Sequence, residues 1–258
     1  MLLTSSACFL GNITSISFKN TNIINDKSFN KVNLKADNEG KKVIDAKLIG
    51  ADKGRIKVEF KGNECTIIKA YDDFLASGNF NFNNGKFTYE EVEYTITKIE
   101  NGAFCISDNE FNIWFFKECN LTIPSTIKKI SDRAFYGNSR NTFLTSKEII
   151  SINFNEGLED IGEHAFYKCD DLESDSITLP NSLKHIGNGV FGDITALEEL
   201  DLTALDHVIN IDANPFSKDG CLYDTNIKTI WVKDQATKDK YCNDQYWSSA
   251  SSKIKVKS

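Results

Sequence analysis

One short pattern governs what this chain can fold into. An isoleucine, four intervening residues and a phenylalanine recur as Ile99/Phe104, Ile130/Phe135, Ile161/Phe166, Ile186/Phe191 and Ile211/Phe216. The phenylalanines are 31, 31, 25 and 25 residues apart, while the offset inside the pattern never changes. A small residue precedes the first three rings, at Ala103, Ala134 and Ala165. Short alternating runs precede the later copies: LTIP at 121–124, ISINF at 150–154, ITLP at 177–180 and LDL at 200–202, with IWV at 230–232 after the last. Alternation of this kind predicts strands with one buried face. Leu121, Ile123, Ile150, Ile152, Phe154, Ile177, Leu179, Leu200 and Leu202 are expected to point inward. A unit of this size cannot bury its apolar side alone, so the copies are expected to stack into a mostly β solenoid. The two longer intervals carry about six extra residues after the phenylalanine, which solenoids place in loops on one face.

The segments TIPSTIKKISDRAFYGN, NFNEGLEDIGEHAFYKCDDL and TLPNSLKHIGNGVFGDITAL resemble the BspA-like leucine-rich repeats of bacterial surface proteins and parasitic protists. The resemblance covers roughly residues 90–233. It implies a right-handed leucine-rich-repeat stack with short parallel strands on one face, and a buried cysteine at Cys169. It also implies adhesion and the binding of host proteins.

The solenoid is expected over 90–233, with a C-terminal helical cap at 234–258 and an irregular β-rich N-terminal region at 1–89. A stack needs caps because its end coils expose apolar surface and unpaired strand edges. In the C-terminal segment a short polar helix is followed by a tryptophan, and Tyr241, Trp247 and Ile254 are expected to cover the last coil. In the N-terminal region, ISFKNTNIINDKSF suggests a degenerate repeat within 13–35, ending near Phe29. KKVIDAKLIGADKGRIKVEFKG is two alternating runs joined by Ala-Asp-Lys-Gly, a hairpin signal.

Charge narrows the partners. The net charge of -7 argues against nucleic acid or an anionic membrane, both of which call for basic patches. No window is long and apolar enough for a transmembrane helix. Ser5-Ser6-Ala7-Cys8 faintly resembles the end of a trimmed lipoprotein signal, so a lipid anchor at Cys8 is conceivable only behind a removed leader. The cysteines number seven and include no C-x-x-C pair, so buried free thiols are expected.

Catalytic patterns are missing. The sequence holds no G-x-S-x-G, P-loop or G-x-G-x-x-G stretch. His164, His185 and His207 share no repeat position and form no metal-ligand spacing. The acidic run Asp170, Asp171, Glu173 and Asp175 lacks the glycine-spaced loop of calcium motifs and is expected to be solvated. The sequons at Asn12 and Asn120 are short enough to arise by chance. No enzyme activity, cofactor or metal is expected.

The strand face is the remaining candidate. Alternation places Thr122, Ser151, Asn153, Thr178, Glu199, Asp201, Thr229, Trp231 and Lys233 outward. Five strands about 4.8 Å apart would present a strip of roughly 20–25 Å. Thr122, Asn153, Thr178, Asp201 and Trp231 are the expected partner contacts. Trp231 either anchors a ligand or packs against Tyr241 or Trp247. The expected function is a cell-surface or secreted module binding a protein or glycan, with a cytoplasmic scaffold as the alternative.

Overall fold

A computed structural model describes residues 35–36, 42–105, 115–137 and 148–257. The suggested repeat near Phe29, the lipid-anchor residue Cys8 and the sequon at Asn12 lie outside the described residues.

The described chain opens as an antiparallel meander: β1 (Lys35–Ala36), β2 (Lys42–Ala46), β3 (Ile56–Lys61) and β4 (Glu64–Ala70). The predicted hairpin is the β2–β3 pair. The chain then makes β5 (Ala76–Phe80), a single turn α1 (Phe82–Gly85), β6 (Lys86–Tyr89) and β7 (Val92–Ile99). β7 returns to lie parallel to β4, which completes one coil.

Each later coil gives one strand to each of two parallel ladders. The first ladder continues from β4 and β7 through β9 (Lys129–Ile130), β11 (Asp160–Ile161), β13 (His185–Ile186) and β15 (Asn210–Ile211). The second begins with β5, β8 (Phe116–Ile123) and β10 (Ile149–Phe154). It resumes as β12 (Ser176–Thr178), β14 (Glu199–Asp201), β16 (Thr229–Val232) and β17 (Ile254–Val256). The expected unbroken strip is therefore interrupted. β10 and β12 share no ladder, and the backbone is bridged there by Glu173 N–H donating to Ile150 O at 2.9 Å.

Between the ladders the pattern phenylalanines form a continuous stack. Ring centroids are 5.2 Å apart for Phe104 and Phe135, 5.0 Å for Phe135 and Phe166, and 6.1 Å for Phe166 and Phe191. These separations follow the strand spacing of about 4.8 Å, so one ring per coil fills the core without gaps. The turn leading to each ring is built alike. The residue two places before it has positive φ, at Gly102, Arg133, His164 and Gly189. The small residue just before it closes the turn, with Ala103, Ala134 and Ala165 donating back to Glu100, Ser131 and Gly162. The ring's own N–H then donates to the next coil, as from Phe135 to Ala165 O at 2.8 Å.

Two inward expectations are corrected. The fifth pattern phenylalanine is not in the stack. Phe216 is half-buried, with Lys253 Nζ 4.9 Å from its ring centroid, and Leu222 is fully buried one coil beyond Phe191. Phe191 N–H donates to Cys221 O, so Cys221 and Leu222 take the Ala–Phe places. Pro215 cannot make the closing bond that Ala103, Ala134 and Ala165 make, and its carbonyl instead accepts from Leu222 N–H at 2.8 Å. The second correction is Ile150. A register shift in β10 between Ile149 and Ser151 turns Ile149 into the core and leaves Ile150 half-buried.

The N-terminal region contains a coil that the repeat pattern misses. Ile67 pairs with Ile99, and Phe74 lies 5.4 Å from Phe104, so residues 64–80 follow the path of a repeat. Seven positions rather than five separate Ile67 from Phe74.

The C-terminal end is closed as expected by Tyr241, Trp247 and Ile254, all buried. Asp234 caps helix α2 (Gln235–Asn243) by accepting from Thr237 N–H at 2.7 Å. Trp247 Nε1 donates to Ile209 O at 2.9 Å, and the Tyr241 hydroxyl accepts from Ile209 N–H and donates to His207 O. Two aromatic side chains thus satisfy backbone groups at the open end of the first ladder.

Candidate binding face

The outward side of the second ladder is polar. On its first part, Thr122 faces Asn153 in register, and Ser151 Oγ donates to Asn120 Oδ1 at 2.7 Å. Thr122 is half-buried and Asn153 is exposed. Asn120, the second sequon, is half-buried on a central strand. On the second part, Thr178, Asp201, Trp231 and Lys255 form one row across β12, β14, β16 and β17. Thr178 is exposed there.

Asp201 and Thr229 are corrections to the sequence expectation. Both are buried, at 7% and 6% exposure. Asp201 accepts from Thr203 N–H at 2.8 Å and Thr203 Oγ1 at 2.6 Å, and pairs with Lys257 Nζ at 2.6 Å. Burial pushes its carboxyl pKa up, but the bonds from Lys257 and Thr203 outweigh this and hold it below the usual range. Lys255 Nζ donates to Thr229 Oγ1 at 3.2 Å. The two side chains are covered because β17 adds a strand beyond the last repeat, and Lys255 on it and Lys257 just after it reach back to the row.

Trp231 lies on the strand face, in register with Asp201. Its ring is half-buried on the sheet, and Nε1 donates to Glu199 Oε2 at 2.9 Å. The T-shaped pair in the cap is Tyr241 with Trp247, at 5.3 Å. Lys255 and Lys257 were absent from the expected face because no repeat signature marks β17. The alternation in Ile254-Lys255-Val256-Lys257 was the available signal.

The other polar groups serve the coil stack. His185 Nδ1 meets Asp160 Oδ1 at 2.7 Å, and its Nε2 lies 3.2 Å from Asp212 Oδ1. Partial burial disfavours the charged ring, but these carboxylates raise its pKa above the usual value. His207 Nε2 donates to Leu183 O at 2.8 Å. In the acidic run, Asp171 accepts from Glu148 N–H at 2.9 Å, and Asp175 O accepts from Glu198 and Glu199. Among the described residues no group of three or more His, Cys, Asp or Glu is placed to hold a metal ion. Cys65, Cys119, Cys169 and Cys221 are buried free thiols. Burial pushes Cys65, Cys119 and Cys221 up to about 12 and Cys169 well above its usual value, so they remain protonated and unreactive. Cys169 Sγ donates to Phe135 O at 3.3 Å, in the buried place the resemblance assigned to it. No helix among the described residues is long and apolar enough to cross a membrane.

The profile described as BspA type leucine rich repeat region matches six copies over residues 57–139 and 114–242. The chain belongs to this family. The BspA-type match begins upstream of the sequence-defined solenoid and takes in the coil through Phe74. No curated protein is significantly similar to the chain. Among solved structures, the pneumococcal vaccine antigen PcpA is similar over 72% of this chain and 50% of that one, at 21% identity and a TM-score of 0.41. A leucine rich cell surface protein from Faecalibacterium prausnitzii is similar over 70% of this chain and 54% of that one, at 17% identity and a TM-score of 0.37. A leucine-rich repeat protein from Bacteroides capillosus is similar over 72% and 99%, at 17% identity and a TM-score of 0.34. The chain spans about half the length of the pneumococcal and Faecalibacterium proteins.

Proposed function

We infer that this protein is a non-enzymatic, adhesin-like binding module of the cell surface or extracellular space, and that it engages a protein or glycan through the outward side of the second ladder. The observation that carries this reading is the family membership joined to a polar strand face. On that face Asn153 and Thr178 are exposed and Trp231 is partly so. Repeat stacks use such extended faces for binding. The proposed contacts are Thr122, Asn153, Thr178 and Trp231, while Asp201 organises the row from below. The test is binding to an array of extracellular matrix proteins and glycans. An Asn153→Arg/Thr178→Arg double variant should lose array binding at least tenfold, whereas Asn210→Arg, exposed on the first ladder, should retain it. Equal loss in both variants, or none in either, removes the face from consideration.

One observation favours a second reading, a cytoplasmic scaffold. The core holds four buried thiols as free cysteines, the state that a reducing compartment maintains. Fractionation of the native cells separates the two readings: surface-accessible protein supports export, and exclusively cytosolic protein supports the scaffold.

A further inference from the structure

The second ladder is interrupted between β10 and β12, and individual hydrogen bonds replace strand pairing there. Glu173 N–H donates to Ile150 O at 2.9 Å, and Asp171 Oδ2 accepts from Glu148 N–H at 2.9 Å. Three carboxylates gather at this tie. Glu148 is half-buried at the entry to β10, and the charges acting on it are those of Asp171 and Asp170. Among the described residues its carboxylate meets no hydrogen-bond donor and no cation. The other groups of the packed segments do not supply one. Lys168 lies 3.7 Å from Asp193, and it acts on Asp170 rather than on Glu148. Cys169 is a buried thiol kept protonated, and Glu173 and Asp175 are exposed. On β8, Cys119 N–H donates to Glu148 O at 2.9 Å, while Lys117 and Glu118 are exposed.

We propose that this break is a pH-operated hinge in the second ladder, closed while Glu148 is protonated and loosened when it ionises against Asp171 and Asp170. Like charges in a partly buried site oppose each other's ionisation, so the ionised cluster favours an arrangement that admits water between its members. Burial and the two aspartates push Glu148 up to about 7. In the loosened arrangement its carboxyl returns toward the ordinary carboxylate range. Closure is therefore fully favoured below that range and fades as pH rises from it to about 7. The bond most exposed to this is Glu173 N–H to Ile150 O, because no strand pairing backs it. Asn153 on β10 and Thr178 on β12 stand exposed on opposite sides of the break, so loosening changes the spacing of two proposed contacts. That consequence rests on the strand face being the binding surface, whereas the hinge does not.

The experiment is amide hydrogen exchange of the whole chain at single-residue resolution, at pH 5 and pH 8, with the intrinsic rate at each pH divided out. His185 titrates in the same window on the first ladder, so the comparison is between wild type and variant rather than between pH values alone. In wild type the protection of the Glu173 amide should fall at least fivefold from pH 5 to pH 8. In Glu148→Gln the fall should be less than twofold. Asp171→Asn keeps an oxygen for Glu148 N–H and removes the charge, so it should at least halve the wild-type fall, and it keeps the test valid should Glu148→Gln fail to fold. The Leu202 amide, which donates to Trp231 O within the paired part of the ladder, should respond to pH alike in wild type and both variants. The proposal is overturned if Glu173 protection is the same at both pH values in wild type, if it falls equally in wild type and Glu148→Gln, or if Leu202 loses protection in step with Glu173. No ligand enters this measurement, so failure of the Asn153/Thr178 variant to lose array binding would discard the face and leave the hinge to be decided by exchange alone.

Discussion

Truncating Phe166, Leu222 and Phe216 one at a time separates the stack seen in the structure from the repeat written in the sequence. Phe166 is fully buried between Phe135 and Phe191, with Phe154 edge-on at 5.5 Å. Removing such a ring costs about 3–5 kcal/mol, and the loss of two stacked partners places Phe166→Ala near the upper end. Leu222 is also fully buried, and Leu222→Ala should cost about 2–5 kcal/mol. Phe216 is only half-buried. Full burial of such a side chain contributes about 1.5–3 kcal/mol and an exposed cation–π contact about 0.5–1, so Phe216→Ala should cost about 1–2 kcal/mol. Urea unfolding followed by far-ultraviolet circular dichroism gives the three midpoints, with the slope checked for constancy. If Phe216→Ala were as damaging as Phe166→Ala, or Leu222→Ala nearly neutral, the assignment of Leu222 to the stack would be wrong.

Three further outcomes are expected. His185 sits between Asp160 and Asp212 with a raised pKa, so its contribution is full below the ordinary histidine value and fades as pH rises through the folded one. Because these pairs are partly solvated, His185→Asn should cost about 0.5–1 kcal/mol more at pH 5.5 than at pH 8 in thermal unfolding, and the opposite order would contradict the bridge. Glu148 is pushed up to about 7 by burial and by Asp171 and Asp170, so its ionisation destabilises the fold as pH climbs from the ordinary carboxylate range through 7. Glu148→Gln should therefore stabilise the protein at pH 8 by about 1–3 kcal/mol after allowance for screening, with no gain at pH 4. Trp247→Phe keeps the ring but deletes the bond to Ile209 O, and should cost about 1–3 kcal/mol. Its mark would be faster amide exchange in the last coil, and uniform protection would refute the capping role.

The sequence announced the coils whose turns share one geometry. Between Ile99 and Phe104, and in the three copies that follow, a positive-φ residue two places before the ring carries the chain from ladder to stack, and in the first three a donating alanine closes the turn, so the offset is fixed. Where that turn changes, the signal fails. Two extra residues hide the coil through Phe74, and the unchanged offset from Ile211 to Phe216 makes Phe216 resemble a stack ring while Leu222 occupies the place. Alternation identified Asn153 and Thr178 as exposed and Leu121, Ile123, Ile177 and Leu200 as buried. It misplaced Ile150 because a bulge shifts the pleat by one residue. It left Asp201 and Thr229 exposed because their cover comes from β17, which carries no repeat motif. Local periodicity records what a strand does to its own side chains; it does not record what a neighbouring strand lays over them.

The most direct test of the binding face is hydroxyl-radical footprinting of the protein with the tightest ligand from the matrix and glycan array. Trp231 lies on the strand face, whereas Tyr167 and Tyr223 follow the core stack on the turn side of the coils, and all three are half-buried. Protection of Trp231 with Tyr167 and Tyr223 labelled as in the free protein is the predicted result. Protection of the tyrosines with Trp231 unchanged would place the ligand on the turn side and contradict the account.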